Sequence, residues 1–384
     1  MIVCVRCSAG GVKSRPGAWE APTAAMKKYI GCDMHKKFSV FVVMDESGRY
    51  EPAIKVSNDT LELRACLEKL PKGAPVAVEA SGGWYWFVDE LESAGLDVRL
   101  VNPLEAKKRM PGHKKTDHAD AAGLAMLLRN GTLPEVWIPS SQLRDLRGLL
   151  RARLSLRQHT TILKNRIHGA IRRYGQYERD EPKNLFKGKG RVQLATYVGA
   201  LPQETRLATR HEWQLVDEVE DHIQELETRI RLGVGHLGWV RLLKTLPGVG
   251  EVLGATIFLE IGEVDRFPTP AHLASYAGLT PVVHASGGKI QLGRTSPIAN
   301  HYLKWAFVEA ANCVVMQRKR YDGSHVIGLY DRLRAAKNHG KAAVAVARHL
   351  AEASWWMLSK QQAYREPAPA SIASSNSGSA RKSF

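Results

Sequence analysis

The stretch Tyr29–Val43, YIGCDMHKKFSVFVV, decides the fold. It is apolar and rich in β-branched and aromatic residues, and it carries one carboxylate, Asp33, in its first half. Such a run reads as a strand leading into a second strand, which ends at the turn DESG, residues 45–48. Outward from it, the runs Ala53–Val56, Val76–Glu79 and Asp97–Val101 predict three more strands. Leu61–Leu70 and Trp84–Ala94 predict helices, each closed by a Pro or Gly signal. The element order is therefore strand, strand, strand, helix, strand, helix, strand, helix.

Three further acids fall where such an order brings strand ends and a helix together. Glu79 closes the short apolar run PVAVEAS, and Asp117 and Asp120 lie in KKTDHADAAGLAMLL. The i, i+3 spacing puts the last two on one helix face. A single acid at a strand end is ordinarily a loop residue. The aspartate pair, set beside the basic run Lys107, Lys108, Arg109, Lys114 and Lys115, makes the set more specific. Hard oxygen ligands from two strand ends and a helix suit magnesium, which takes carboxylates together with the phosphate it activates. Element order and acids together point to an α/β domain of the RNase H class, used by nucleases and integrases.

With 384 residues the chain holds two or three domains. It carries 55 Lys and Arg against 38 Asp and Glu, a net charge of +17, which points to a polyanion such as nucleic acid. Residues 141–189 carry thirteen basic and four acidic side chains, and residues 203–232 carry four basic and eight acidic. A basic helix followed by an acidic one suggests one arm facing nucleic acid and another facing protein. No run of 18 apolar residues exists, so no membrane span is expected. Five scattered cysteines suit a reducing cytoplasm, and Cys4 and Cys7 lack a second pair at zinc spacing. Residues 1–25 read as a leader, disordered, ahead of Met26.

WIPSSQ marks a boundary near Ile138–Gln142, giving a first domain over 26–140. A helical stripe follows from Leu143 to Ile171, its other faces bearing Arg144, Arg147, Arg151, Arg153 and Arg157, with Lys164 and Arg166 further on. These seven are expected to contact nucleic acid, as are Lys114, Lys115, Lys289 and Arg294. Val216, Val219, Ile223, Leu226 and Ile230 recur at spacings 3, 4, 3, 4, the pattern of a coiled-coil seam. Residues 141–235 thus form a helical arm, either an antiparallel pair within the chain or a dimerisation arm. A homo-oligomer, dimer or tetramer, is expected. In the region 236–365 the PGVG turn between two helices resembles a helix-hairpin-helix element, whose backbone N–H groups can face a phosphate. Ser286 falls in an exposed turn before two glycines, and Ser296 with Pro297 is expected to cap the next long helix. From 366 to 384 the composition predicts a disordered tail.

Taken in order, GCDMHK, VAVEASGGW, KTDHADA, LKNRIH, PGVG, YAGLTP and SGGK resemble the DEDD transposases of bacterial insertion sequences, over roughly Lys27 to Gln361. Two departures stand out: Ala299 precedes Asn300 where the family usually has glycine, and residues 1–25 have no counterpart. The resemblance implies a RuvC-like nuclease domain, a coiled-coil arm and a mostly helical C-terminal domain with a nucleophilic serine. It assigns Asp33, Glu79, Asp117 and Asp120 to a tetrad holding Mg2+, two ions, and Ser286 to the nucleophile. It also implies a structured guide RNA that pairs with donor and target DNA. Two other readings stay open: a Holliday-junction-type nuclease that hydrolyses DNA, and a non-catalytic DNA-binding scaffold.

Overall fold

Strands β1 (Lys28–Met34) and β2 (Phe38–Asp45) form an antiparallel hairpin, with Asp33 opposite Val40. The computed structural model describes residues 27–110, 116–176, 182, 184–286, 289–295 and 298–367. The leader expected over 1–25, Cys4 and Cys7, and the expected cap residues Ser296 and Pro297 lie outside them. The chain divides into two units, residues 1–138 and 139–384.

In the first unit β3 (Ile54–Ser57), α1 (Thr60–Leu67), β4 (Pro75–Glu79), α2 (Trp84–Ser93), β5 (Asp97–Val101), α3 (Pro103–Arg109), α4 (Asp117–Arg129) and β6 (Glu135–Val136) follow in turn. The six strands run in the order β3-β2-β1-β4-β5-β6. β1, β4 and β5 are mutually parallel, and β2, β3 and β6 pair antiparallel with their neighbours. Because side chains alternate across a strand, each central strand feeds two cores. Ile30, Cys32, Val76, Val78 and Leu100 pack with Leu63 and Leu67 of α1 and Phe87 and Leu91 of α2. The opposite face sets Ala77 and Val101 against Leu124 and Leu127 of α4. Phe41 and Phe87 are fully buried, each contributing about 1.5–3 kcal/mol. The unit is thus an α/β sandwich with helices on both sheet faces.

The second unit is mostly helical. It contains α5 (Ser141–Arg173), α6 (Lys189–Gly199), α7 (Gln203–Ile230), α8 (Gly238–Leu243), α9 (Glu251–Ile261) and α10 (Pro270–Tyr276). A hairpin, β7 (Pro281–Ser286) and β8 (Lys289–Thr295), precedes α11 (His301–Met316), α12 (His325–Ala336) and α13 (His339–Lys360). α5 and α7 pack antiparallel, and Val216, Ile223 and Ile230 are the buried seam positions, seven residues apart. Behind the arm, Ile257, Leu273, Phe307, Val326, Val346 and Leu350 join α9 to α13 in one core.

Three expectations need correction here. Asn300, not Ser296, caps α11: its side chain accepts the Leu303 N–H at 3.0 Å, the bond a helix start needs for an otherwise orphaned donor. In the PGVG turn, Gly248 takes φ +77° and a Cβ there would meet Ala310 O at 2.1 Å, while its N–H donates to Tyr321 Oη at 3.0 Å. That donor, expected to face a phosphate, is spent on holding the turn to its own chain. Glu366, at the start of the expected tail, accepts the His325 N–H at 2.9 Å; residues 368–384 lie outside the described residues.

Candidate metal centre

The centre is built where β1 and β4 end beneath the start of α4. Gly31 and Asp33 lie on one face of β1 by alternation. Register pairs Gly31 with Ala77 and Cys32 with Val78, so Glu79 follows beside Asp33 on that same face. Gly31 lets α4 approach very closely. A Cβ there would stand 1.9 Å from Ala121 O and 2.6 Å from Ala125 N, so only glycine fits. Thr116 starts the helix by accepting the Ala119 N–H at 3.2 Å. Asp117 and Asp120 then occupy the first turn, where the helix dipole favours negative charge. The helix start is in this way laid over the Asp33 end of β1.

Between the carboxylates sits a residue that the sequence reading missed. His35 Nε2 lies 3.1 Å from Asp33 Oδ2 and 3.3 Å from Asp117 Oδ1. The three side chains each offer one ligand atom within 4.8 Å of the others. A signal existed, since residues 33 and 35 share strand parity, but MHKK reads as a turn and hides it. Burial pushes the Asp33 carboxyl above the usual carboxylate range; His35 opposes the rise, and Asp120 and Asp117 add to it. Asp33 is only 16 % exposed and Asp117 46 % exposed, so the cluster opens to solvent on its helix side. Carboxylate oxygens crowded until they repel one another form a donor set that a divalent cation fits.

Comparisons with known proteins match both units. A family model for DEDD transposases of the IS110 type covers residues 30–176, and one for the transposase IS116/IS110/IS902 family covers 240–325. The chain belongs to the DEDD transposase family. A "Probable family 20 transposase" of Pseudomonas aeruginosa is 25% identical over 343 residues, 88% of this chain and 98% of its own. The transposase for insertion sequence element IS1111A of Coxiella burnetii is 23% identical, covering 88% of this chain and 91% of its own. A pilin gene-inverting protein of Moraxella bovis is 29% identical over half of each chain, 50% and 51%.

Ser286 and Arg294, two further candidate residues, belong to the second unit. Ser286 closes β7 and pairs with Lys289, the first residue of β8, so its backbone belongs to a hairpin rather than to an open turn. Arg294 lies on the same hairpin, in β8. Lys114 and Lys115 fall outside the described residues.

The cations of the α5 stripe are largely paired within the chain. Arg147 donates to the carbonyls of Leu259 at 2.6 Å and Glu260 at 2.9 Å. Arg151 makes a two-pronged pair with Glu260, 3.0 Å at each prong. Arg153 pairs with Glu227 at 2.5 Å, Arg157 and Lys164 share Glu220 at 2.9 and 2.7 Å, and Arg166 meets Glu212 at 2.5 Å. Arg144 is buried. Burial raises the Glu220 carboxyl, but its hydrogen bond from Lys164 and the charge of Arg157 outweigh that and hold it below the usual range. The acidic helix α7 is thus the partner of the basic one. No helix of the described residues is long and apolar enough to cross a membrane.

Proposed function

We propose that this transposase cuts and rejoins DNA at a divalent-metal centre formed by Asp33, Glu79, Asp117 and Asp120, with Ser286 as the nucleophile. The observation that carries the reading is the convergence of Asp33, Asp117 and Asp120 at the Gly31 contact, with Glu79 following in register. The strand order β3-β2-β1-β4-β5 supports a RuvC-like, RNase H assignment for residues 26–140. Mg2+, two ions on this reading, would supply activation of the attacking oxygen and charge neutralisation at the phosphate. Asp33, Glu79, Asp117 and Asp120 would hold the cations. Ser286 forms a P–O bond as the bond from phosphorus to a deoxyribose oxygen breaks, and that oxygen leaves with the serine proton. Reversal from a new strand end rejoins DNA without ATP. The relative named for inverting a gene favours rejoining over simple hydrolysis, because inversion requires both ends to be resealed.

On the same reading a structured guide RNA from the element selects donor and target DNA, and the protein works as a dimer or tetramer. Residues 141–235 serve as the arm and 236–365 as the serine-bearing domain. The test is incubation with cognate DNA and Mg2+, followed by denaturation. DNA bound to the peptide containing Ser286 is expected, and Ser286→Ala should lose both adduct and strand exchange while still binding DNA. Full recombination by Ser286→Ala removes the serine, and metal-dependent cleavage with no adduct leaves a hydrolytic nuclease in its place.

A further inference from the structure

We infer that His35 is a ligand of the metal centre, adding an imidazole nitrogen that makes the site favour a transition-metal ion over magnesium. The inference rests on the metal-centre reading above and adds a donor outside the tetrad.

Nε2 of His35 stands within ion-pair distance of both Asp33 and Asp117, yet it is screened from solvent and makes no aligned hydrogen bond. A ring nitrogen in that position is aimed at the point where the two carboxylates converge. Its placement is fixed by the hairpin and not by the carboxylates alone. The His35 N–H donates to Phe38 O at 2.9 Å, closing the β1–β2 turn. Asn58 Nδ2 donates to His35 O at 2.7 Å, and Ser39 Oγ donates to Asn58 Oδ1 at 2.7 Å. The imidazole packs on the Phe38 ring at 4.6 Å, and Lys55 Nζ covers that ring at 3.9 Å. The backbone is tied on both sides and the ring has an aromatic floor. Little rotamer freedom is left to lose on binding, the property expected of a preorganised ligand.

Donor chemistry then gives the preference. Carboxylates and water satisfy Mg2+, which gains little from an imidazole; nitrogen donors raise affinity for first-row transition ions, increasingly so from Mn2+ towards Cu2+. Two aspartate oxygens and one imidazole form a mixed set that holds Co2+ or Mn2+ more tightly than Mg2+.

The test uses the full-length, metal-stripped protein with each metal alone. Calorimetric titration should show Co2+ binding more tightly than Mg2+. His35→Ala should weaken Co2+ by at least the ~10–100-fold that losing an outer-shell partner costs, while changing Mg2+ affinity little. With Mn2+ as a paramagnetic probe, the wild-type spin echo should carry a 14N modulation that His35→Ala removes. His118→Ala, whose exposed ring stands against Tyr50, should retain it. If His35→Ala unfolds, His35→Gln should keep the hairpin and still lose the 14N signal. Unchanged or tighter Co2+ binding in the His35 variants, or a wild-type echo without 14N modulation, overturns the inference. Asp117→Asn separates the two claims: it should weaken both ions, and if it weakens neither, the metal centre itself falls. If Asp117→Asn weakens both and the His35 variants weaken neither, the metal centre stands and His35 is not its ligand.

Discussion

The candidate metal centre and the α5–α7 arm are both dense in charge, and they are built on opposite plans. At the centre Asp33 and Asp117 flank one histidine, and Asp33 is held above its ordinary range by burial and by the charges of Asp120 and Asp117. In the arm Arg153, Arg157, Lys164 and Arg166 each meet a glutamate of α7, and the buried Glu260 takes both prongs of Arg151, with Asn300 Nδ2 donating to the Oε2 oxygen at 2.7 Å. Like charges crowded together call for a cation from outside. Opposite charges in register are satisfied from within. The contrast shows that a basic stretch of sequence is not by itself a nucleic-acid footprint, because its counter-charge can come from 56 or 109 residues away.

The contrast breaks most visibly if the centre proves dispensable. Asp117→Asn or Asp120→Asn should abolish DNA strand cleavage in Mg2+ while leaving DNA binding and the melting temperature near wild type. Wild-type cleavage rates in either variant would remove the site. Next in size is Glu260→Ala, which strands Arg147 and Arg151 without their carboxylate. Removing one partner of a buried pair costs about 3–5 kcal/mol, and the partial exposure of Arg151, 33 %, places the loss toward the lower end. Urea unfolding of the whole protein measures it, and a loss within error of zero would mean the cluster contributes no net stability.

A smaller effect sharpens the arm's side of the comparison. Replacing Arg151, Arg153 and Arg157 together by Gln would lower the salt slope of DNA binding by about three if each met one phosphate. Since all three are paired within the chain, the slope should move by less than ~1 while the melting temperature falls. A drop of three would show that the ion pairs open to receive DNA. The smallest effect belongs to Asp33. A carboxyl whose folded value is raised holds its proton more tightly in the folded state, so ionising it costs stability as pH rises through that value. In metal-free protein Asp33→Asn should therefore melt slightly higher than wild type at neutral pH. The gap should close below the unfolded carboxylate value of ~3.9. An Asn variant that melts lower at neutral pH would contradict the sign.

Much of the first unit was legible because strand periodicity is a local signal. The expected strand at Ala53–Val56 is offset from β3 by one residue at each end, Val76–Glu79 starts one residue inside β4, and Asp97–Val101 coincides with β5. The two-residue β6 was missed: Glu135–Val136 is too short to carry a period and is defined only by its bonds to β5. In the second unit the heptad spacing of Val216, Ile223 and Ile230 showed a buried seam, but not what fills it. Arg151 and Glu260 are 109 residues apart, and no local pattern joins them. The cap of α11 went to Asn300 because Ser-Pro is a local cue, whereas Asn300 is also held by Tyr276 and Glu260. At the metal centre the aspartate spacing on α4 was readable; the helix approach that carries it to β1, and His35 beside it, depend on packing.

That approach has a consequence for how finely the centre is set. Gly31 acts as a shim of zero thickness between strand and helix, and the gap it keeps is the jaw opening of the centre. A methyl group there would have to lift α4 by more than an ångström to clear Ala121 O. Metal–ligand distances tolerate only about 0.2 Å, so the jaw would open several times beyond its working range with all four proposed ligand acids still in place. An alanine at position 31 would leave an intact inventory of ligands set to the wrong calibre.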